Sequence, residues 1–288
     1  MKAAPFHYLR AGSLSEALAA LAEYGGDARV IAGGQSLGAM LNMRIVTPKL
    51  LVDINGLSEL STTDAAGGTV TTGALVRQAD ALADSRVSDQ VPLLARALPH
   101  VGHYQTRNRG TLGGSVAHAD PSAEIPLALA TLGGEIELRS KRRGRRVMAT
   151  QFFKSALTTL REPDELVTAL HWPARKPGQR HAFIEFAVRG GDYAIVAVAC
   201  AVVVKNERLS TLRFGFGGCS DAPQIVNIND LPNTPLDERT AESLGHKAAR
   251  DIECRSDLLG SSAFRRRLAA VLAQKALQSA HKAGQGHA

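Results

Sequence analysis

Two stretches of this sequence set glycines beside small hydroxyl side chains, a pairing with chemical meaning. The first is "RVIAGGQSLG" (residues 29–38), where Gly33 and Gly34 lead into Gln35 and Ser36. The second is "RGTLGGSVAHAD" (residues 109–120), where Thr111, Gly113, Gly114 and Ser115 stand together. Glycine lets backbone N–H groups approach a ligand with no Cβ in the way. A diphosphate carries two negative groups that need several donors at close range, and short hydroxyls complete such a shell. Each cluster taken singly also reads as a tight turn after a strand. Two of them, each with a hydroxyl following, point to one shared anionic ligand.

Other chemistries find little support. "GGCSDAP" is not a nucleophile elbow, no H-E-x-x-H occurs, and His100 and His103 have no third metal ligand near them in sequence. Cys200, Cys219 and Cys254 lie far apart with no C-x-x-C pair, which argues against a disulfide framework and suits a reducing compartment. Three cysteines also fall short of the four thiolates that an iron–sulfur cluster usually takes. The net charge is +7, peaking at "KRRGRR" (residues 141–146) and "RRR" (residues 265–267). The first run lies between two strand-like segments and reads as an exposed hairpin tip centred on Gly144, with docking to an acidic partner as the alternative. Nucleic acid is disfavoured because no aromatic interleaves with the arginines as a base-stacking platform would require. The longest apolar run, "AIVAVACAVVV" (residues 194–204), is too short to span a bilayer and reads as a buried strand. With no apolar signal core in "MKAAPFHYLRAG", the expectation is a cytoplasmic protein without a membrane span.

The elements that must hold the two glycine loops can be read in outline. Ser13 with Glu16 forms a capping box before an amphipathic helix that stops at a glycine. "ARVIAGG" is a strand into a turn, "SLGAMLNMRIV" has helical spacing, and "KLLVDIN" returns as a strand. This is a βαβ-like opening, but its G-G-x-x-x-G pattern is not the G-x-G-x-x-G of dinucleotide folds of the Rossmann type. A further strand falls in "GGTVTTGALV" and helices in "VPLLARALPHVG" and "AEIPLALATL". A hairpin spans residues 135–149, and "DELVTALHWP" closes the first unit. "RKPGQR" (residues 175–180) marks a boundary. Beyond it come three strands in succession and two helices, giving a small α+β unit with an antiparallel sheet covered by helices on one side. The final "AGQGHA" reads as a frayed end.

Three segments in this order, "AGGQSLGAMLNMR…PKLLVDIN", "TRNRGTLGGSVAHADPSAEIP" and "RGGDYAIVAVA", resemble the medium, FAD-binding subunit of the molybdenum hydroxylases, the carbon monoxide dehydrogenase and xanthine dehydrogenase type. The similarity runs over essentially the whole chain, and the joint pattern is what makes it specific. It implies an α+β fold with a PCMH-type FAD-binding domain at residues 1–176, in subdomains of about 1–56 and 57–176. A small C-terminal domain of antiparallel sheet plus helices would follow at 177–288.

The resemblance also implies roles for residues. Ala32, Gly33, Gly34, Gln35, Ser36 and Leu37 would wrap the FAD diphosphate, and Thr111, Gly113, Gly114 and Ser115 would close on it from the other side. His118 and Glu124 fall where the family contacts the ribityl and adenosine portions, and Leu166 belongs to the same set. Arg189, Asp192 and Tyr193 match a motif near the flavin ring. Ser115 stands where many relatives carry Asn, Glu124 where Asp is common, and Glu185 where some carry Lys near the ring. No catalytic side chain and no metal ligand is expected in this chain. By the same resemblance, molybdopterin sits on a large partner subunit and two [2Fe-2S] clusters on a small one. Electrons then reach FAD here and leave to an external acceptor, in a dimer of heterotrimers. A free-standing flavin-dependent reductase of the same fold and a non-catalytic basic binding module are the competing readings.

Overall fold

In the computed structural model, which describes residues 2–205, 208–232 and 236–283, the chain folds around three sheets and one small hairpin. The first sheet is parallel, in the order β1 (His7–Arg10), β3 (Leu50–Asp53), β2 (Ala28–Ile31). Its crossovers run through α1 (Leu14–Tyr24) and α2 (Leu37–Asn42). Ser13 caps α1 as expected, its Oγ accepting from Glu16 N at 3.1 Å. The Glu16 carboxylate reaches one residue past the capping-box position and accepts from Gly12 N at 2.7 Å. Gly25, at φ +50°, ends the helix.

The second sheet is antiparallel, in the order β4 (Thr63–Ala66), β5 (Thr69–Gly73), β10 (Leu166–Pro173), β6 (Glu135–Arg139), β7 (Gly144–Met148). Between β5 and β6 the chain makes α3 (Gln78–Ala83), α4 (Ser85–Gln90), α5 (Pro92–Ala97), α6 (Tyr104–Arg109), α7 (Leu112–His118) and α8 (Glu124–Leu132). After β7 come α9 (Ala149–Phe152) and a short hairpin of β8 (Phe153–Ser155) and β9 (Thr158–Thr159). The buried indole of Trp172 donates to Thr72 Oγ1 at 3.0 Å, fixing β10 beside β5.

The turn between β6 and β7 is residues 140–143, with Gly144 opening β7 rather than forming the tip. Cations on the turn and on the strands beside it form ion pairs. Arg145 forks onto Glu165 through two bonds of 2.7 Å, Arg142 pairs with Asp164 at 3.2 Å, and Arg139 with Glu137 at 2.9 Å. Residues 141–144 are exposed, as expected of a tip, and the ion pairs of the flanking strands brace the second sheet.

The third sheet is antiparallel: β11 (Gln179–Phe186), β12 (Val196–Lys205), β13 (Arg208–Gly217) and β14 (Gln224–Ile228), followed by α10 (Glu238–Arg250) and α11 (Ser262–Lys282). The sequence reading gave the first three strands and both helices and missed β14. The period-2 alternation of a strand explains the long apolar run. Val196, Val198, Cys200 and Val202 pack in one core with α10 and α11, while Ala197 and Ala199 belong to the core around α8. Small residues line the α8 side. A β-carbon on Gly215 would strike Thr131 Oγ1, and one on Gly217 would press on Leu127. That lets α8 lie close against the sheet. The helices cover one side as expected, and the other is buried against the first part of the chain. Of "AGQGHA", only Ala283 lies within the described residues.

Candidate functional site: a cavity between two glycine loops

The two glycine loops meet. A β-carbon on Gly33 would collide with the Arg109 carbonyl and the Cα of Gly110, so the loops pack backbone to backbone. Asn55 and Arg77, which no local pattern singles out, tie them from behind. Asn55 Nδ2 donates to Ala32 O at 2.8 Å and to Asp53 Oδ1 at 2.7 Å. Arg77 donates to Asn55 Oδ1 at 2.8 Å and, through its other Nη, to Arg109 O. The Tyr8 hydroxyl donates to Asp53 Oδ2, extending this chain of bonds across the first sheet.

In front of the junction lies a cavity of about 950 Å³, at the upper end of the range for small-molecule sites. It is lined by Ala32, Gly33, Gly34, Gln35, Ser36 and Leu37 from the first loop, and by Thr111, Gly113, Gly114 and Ser115 from the second. His118, Glu124, Leu166, Asp192 and Tyr193 also line it. Arg189 does not; it sits in the loop between β11 and β12, where its carbonyl accepts from Asp192 N at 3.1 Å. Arg29 and Arg161 add two cations to the lining that no sequence signal marked.

The loops contribute differently. In the second, Leu112 N donates to Val76 O and Gly113 N to Ala74 O, each at 3.0 Å. Gly114 N donates to Thr111 Oγ1 at 3.0 Å and Ser115 N to Thr111 O at 3.2 Å. Gly113 is glycine because a β-carbon there would overlap Ala74. This loop therefore meets the cavity with hydroxyls and bare Cα faces. In the first loop, the N–H groups of residues 33–37 have no acceptor among the described residues. Unpaired backbone donors in a cleft need a partner, and five in succession suit an anion with several oxygens.

The titratable groups suit the same guest. Burial pushes the Glu124 carboxyl up to about 8, with Glu185 and Asp120 adding to the shift and His100 opposing it. At neutral pH it is an uncharged O–H donor, which keeps one negative charge out of the cavity. Burial also lowers the His118 imidazole below its ordinary value, against the pull of Asp120, so it too is neutral. Tyr193 is 65% exposed at the rim, three residues before β12. Glu185 is not part of the lining; its buried carboxylate pairs with His100 Nδ1 at 3.3 Å.

A cavity of this size, walled by two glycine loops with unpaired backbone donors and an exposed aromatic at its rim, suits a large anionic cofactor. Residues 4–175 match the family described as the FAD binding domain in molybdopterin dehydrogenase, and residues 181–280 match the CO dehydrogenase flavoprotein C-terminal domain. The chain belongs to this family and is an FAD-binding medium subunit of the molybdenum hydroxylases. It is 36% identical to the glyceraldehyde dehydrogenase medium chain of Sulfolobus acidocaldarius over 275 residues, covering 95% of this chain and 97% of that protein. It superposes on quinoline 2-oxidoreductase from Pseudomonas putida 86 with a TM-score of 0.93 and 37% identity, covering 98% of this chain and 99% of that one. For carbon monoxide dehydrogenase from Hydrogenophaga pseudoflava the TM-score is 0.91 and the identity 29%, covering 97% and 98% of the two chains. The α+β reading of the sequence, with its two successive parts, holds.

The Asn55 junction gives a first test. Asn55→Ala removes the bonds to Ala32 O and Arg77, about 1.5 kcal/mol of net support, and is expected to weaken FAD binding about tenfold. A flavin fluorescence titration measures this, and unchanged affinity would show that the loops hold their places without it.

Proposed function

We propose that this chain is the electron-transfer subunit of a multi-subunit molybdenum hydroxylase. It takes electrons from [2Fe-2S] clusters on a small partner subunit and passes them to an external acceptor. A large partner carries molybdopterin, and the assembly is a cytoplasmic dimer of heterotrimers. The observation that carries this reading is the meeting of Gly33 with Arg109 and Gly110, which brings residues 33–37, whose N–H groups have no acceptor among the described residues, to the wall of one cavity. The chemistry supplied by bound FAD is the conversion between one-electron and two-electron transfer.

The chain's own residues bind and orient. The first-loop N–H groups and the hydroxyls of Ser36, Thr111 and Ser115 hold the diphosphate. Glu124, protonated at neutral pH, and His118 hydrogen-bond the sugar portions, and Leu166 packs beside them. Asp192 and Tyr193 face the ring end, with Arg189 on the loop that carries them. Cys200, Cys219 and Cys254, far apart in the sequence, fall short of the four thiolates that a cluster usually takes, which supports placing the clusters on other chains.

The experiment is purification of the chain from its native source under mild conditions. The expected result is a yellow chain with flavin absorbance, accompanied by two further polypeptides bearing molybdenum and iron. A colourless chain that takes up no FAD overturns the cofactor reading. A yellow chain that reduces its own substrate without partners favours the free-standing reductase.

A further inference from the structure

Arg265 lies in the basic run Arg265-Arg266-Arg267 near the start of α11, yet only 1% of it is exposed. Its Nη1 donates to the carbonyl oxygens of Ile195 and Gly218, and its Nη2 to Asp257 Oδ1. A guanidinium presents its donors in one rigid plane, so a single head group here fixes three separate stretches of chain. All three lead to the cavity. Residues 187–195 bring Val188, Gly191, Asp192 and Tyr193 to its wall. Gly218 donates its N–H to Pro121 O at 2.8 Å, next to Asp120 at the exit of the second glycine loop. Asp257 Oδ1 also accepts from Leu259 N at 2.9 Å, and Leu259 lines the cavity.

The backbones are pressed tightly around this point. Gly218 sits at φ +75°, and a β-carbon there would strike the carbonyls of Ala194 and Ile195. A buried cation is unfavourable unless it is paired and hydrogen-bonded, and an apolar side chain would fill the space as well. What the guanidinium adds is direction, because it holds two carbonyls and a carboxylate in one geometry.

The geometry points to Arg265 as a positioning residue for the ring end of the FAD cavity, latching the Tyr193 loop to the segment carrying Leu259 without touching the cofactor. This rests on the FAD reading of the cavity. The test uses the full chain with Arg265→Met, Arg265→Lys and Asp257→Asn, followed by hydrogen–deuterium exchange without FAD and by FAD titration with visible circular dichroism. In Arg265→Met, exchange at residues 187–195 and 255–260 is expected to accelerate at least about tenfold while β10 and α8 stay protected. FAD affinity falls by at least about tenfold and the visible dichroism of the bound flavin changes. Lysine restores the charge but not the fork, so Arg265→Lys is expected to behave like the methionine variant. A lysine variant equal to wild type overturns the latch, as does a folded methionine variant with wild-type exchange and dichroism. Where Arg265→Met does not fold, Asp257→Asn decides: faster exchange at residues 255–260 with altered dichroism supports the latch, and wild-type values for both overturn it. A wild-type chain that binds no FAD defeats the cofactor reading alone, and the exchange comparison still decides the latch.

Discussion

Gly33→Ala is expected to leave the chain folded and to weaken FAD binding at least about 100-fold. The added methyl group has nowhere to go. It meets the carbonyl of Arg109 and the Cα of Gly110, both backbone atoms, so no side chain can swing aside. The two loops must separate, and the first-loop amides then leave the arc that faces the cavity. Overpacking of this kind costs about 1–3 kcal/mol where side chains can adjust, and more is expected where only backbone can move. A loss of 100-fold corresponds to about 2.7 kcal/mol. The apolar cores around α8 and α11 do not include this junction, so the fold survives. Gly38→Ala is the control, since nothing lies within 4 Å of a β-carbon there and alanine suits a helix better than glycine. Fluorescence titration of both variants tests the pair; equal, near wild-type affinities would mean the close approach at Gly33 does not shape the site.

The second large effect is a pH dependence traced to one carboxyl. In the chain without FAD, Glu124 has its carboxyl raised from 4.5 to about 8, mainly by burial. The folded state thus holds a proton that the unfolded state releases between these values. Stability is at its full value below about pH 4.5 and declines as the pH climbs toward 8. Each pH unit of that gap corresponds to ~1.4 kcal/mol, so the ceiling on the loss is about 5 kcal/mol. Glu124→Gln keeps the shape and cannot ionise. It is expected to match wild type at pH 5 and to exceed it in melting temperature at pH 9. FAD affinity should show the same asymmetry, falling above pH 8 in wild type, where Glu124 no longer donates a hydrogen bond to the cofactor, and staying flat in the variant. Thermal melts and titrations at pH 5, 7 and 9 measure both, and parallel curves for the two proteins would exclude Glu124 as the source. His100, held up by its bond to Glu185 against its own burial, titrates nearby and remains in both proteins.

The two loops were legible because glycine and hydroxyl residues leave a local signature; His118, Glu124, Leu166, Asp192 and Tyr193, which also line the cavity, were named only through the family resemblance. What stayed hidden depends on partners distant in the chain. That the amides of Leu112 and Gly113 are engaged follows from their apposition to Val76 and Ala74, which no local pattern encodes. Asn55 and Arg77 carry no motif and matter only because the first and second sheets meet there. The arginine runs hid their partners for the same reason. Arg145, within the run read as an exposed tip, pairs with Glu165, and Arg265, for which the sequence offered no role, pairs with Asp257. The apolar run at residues 194–204 announced a buried strand, but only the folded chain shows that its alanines and its valines face different neighbours.

That last feature reaches beyond the cavity. Because β12 serves as a common spine, with alanines turned to α8 and valines turned to α11, the two family segments are interlocked rather than strung in tandem. Neither can be exchanged for a distant cousin's without also importing its matching surface, and a single unfolding transition is expected where the family boundaries would suggest two.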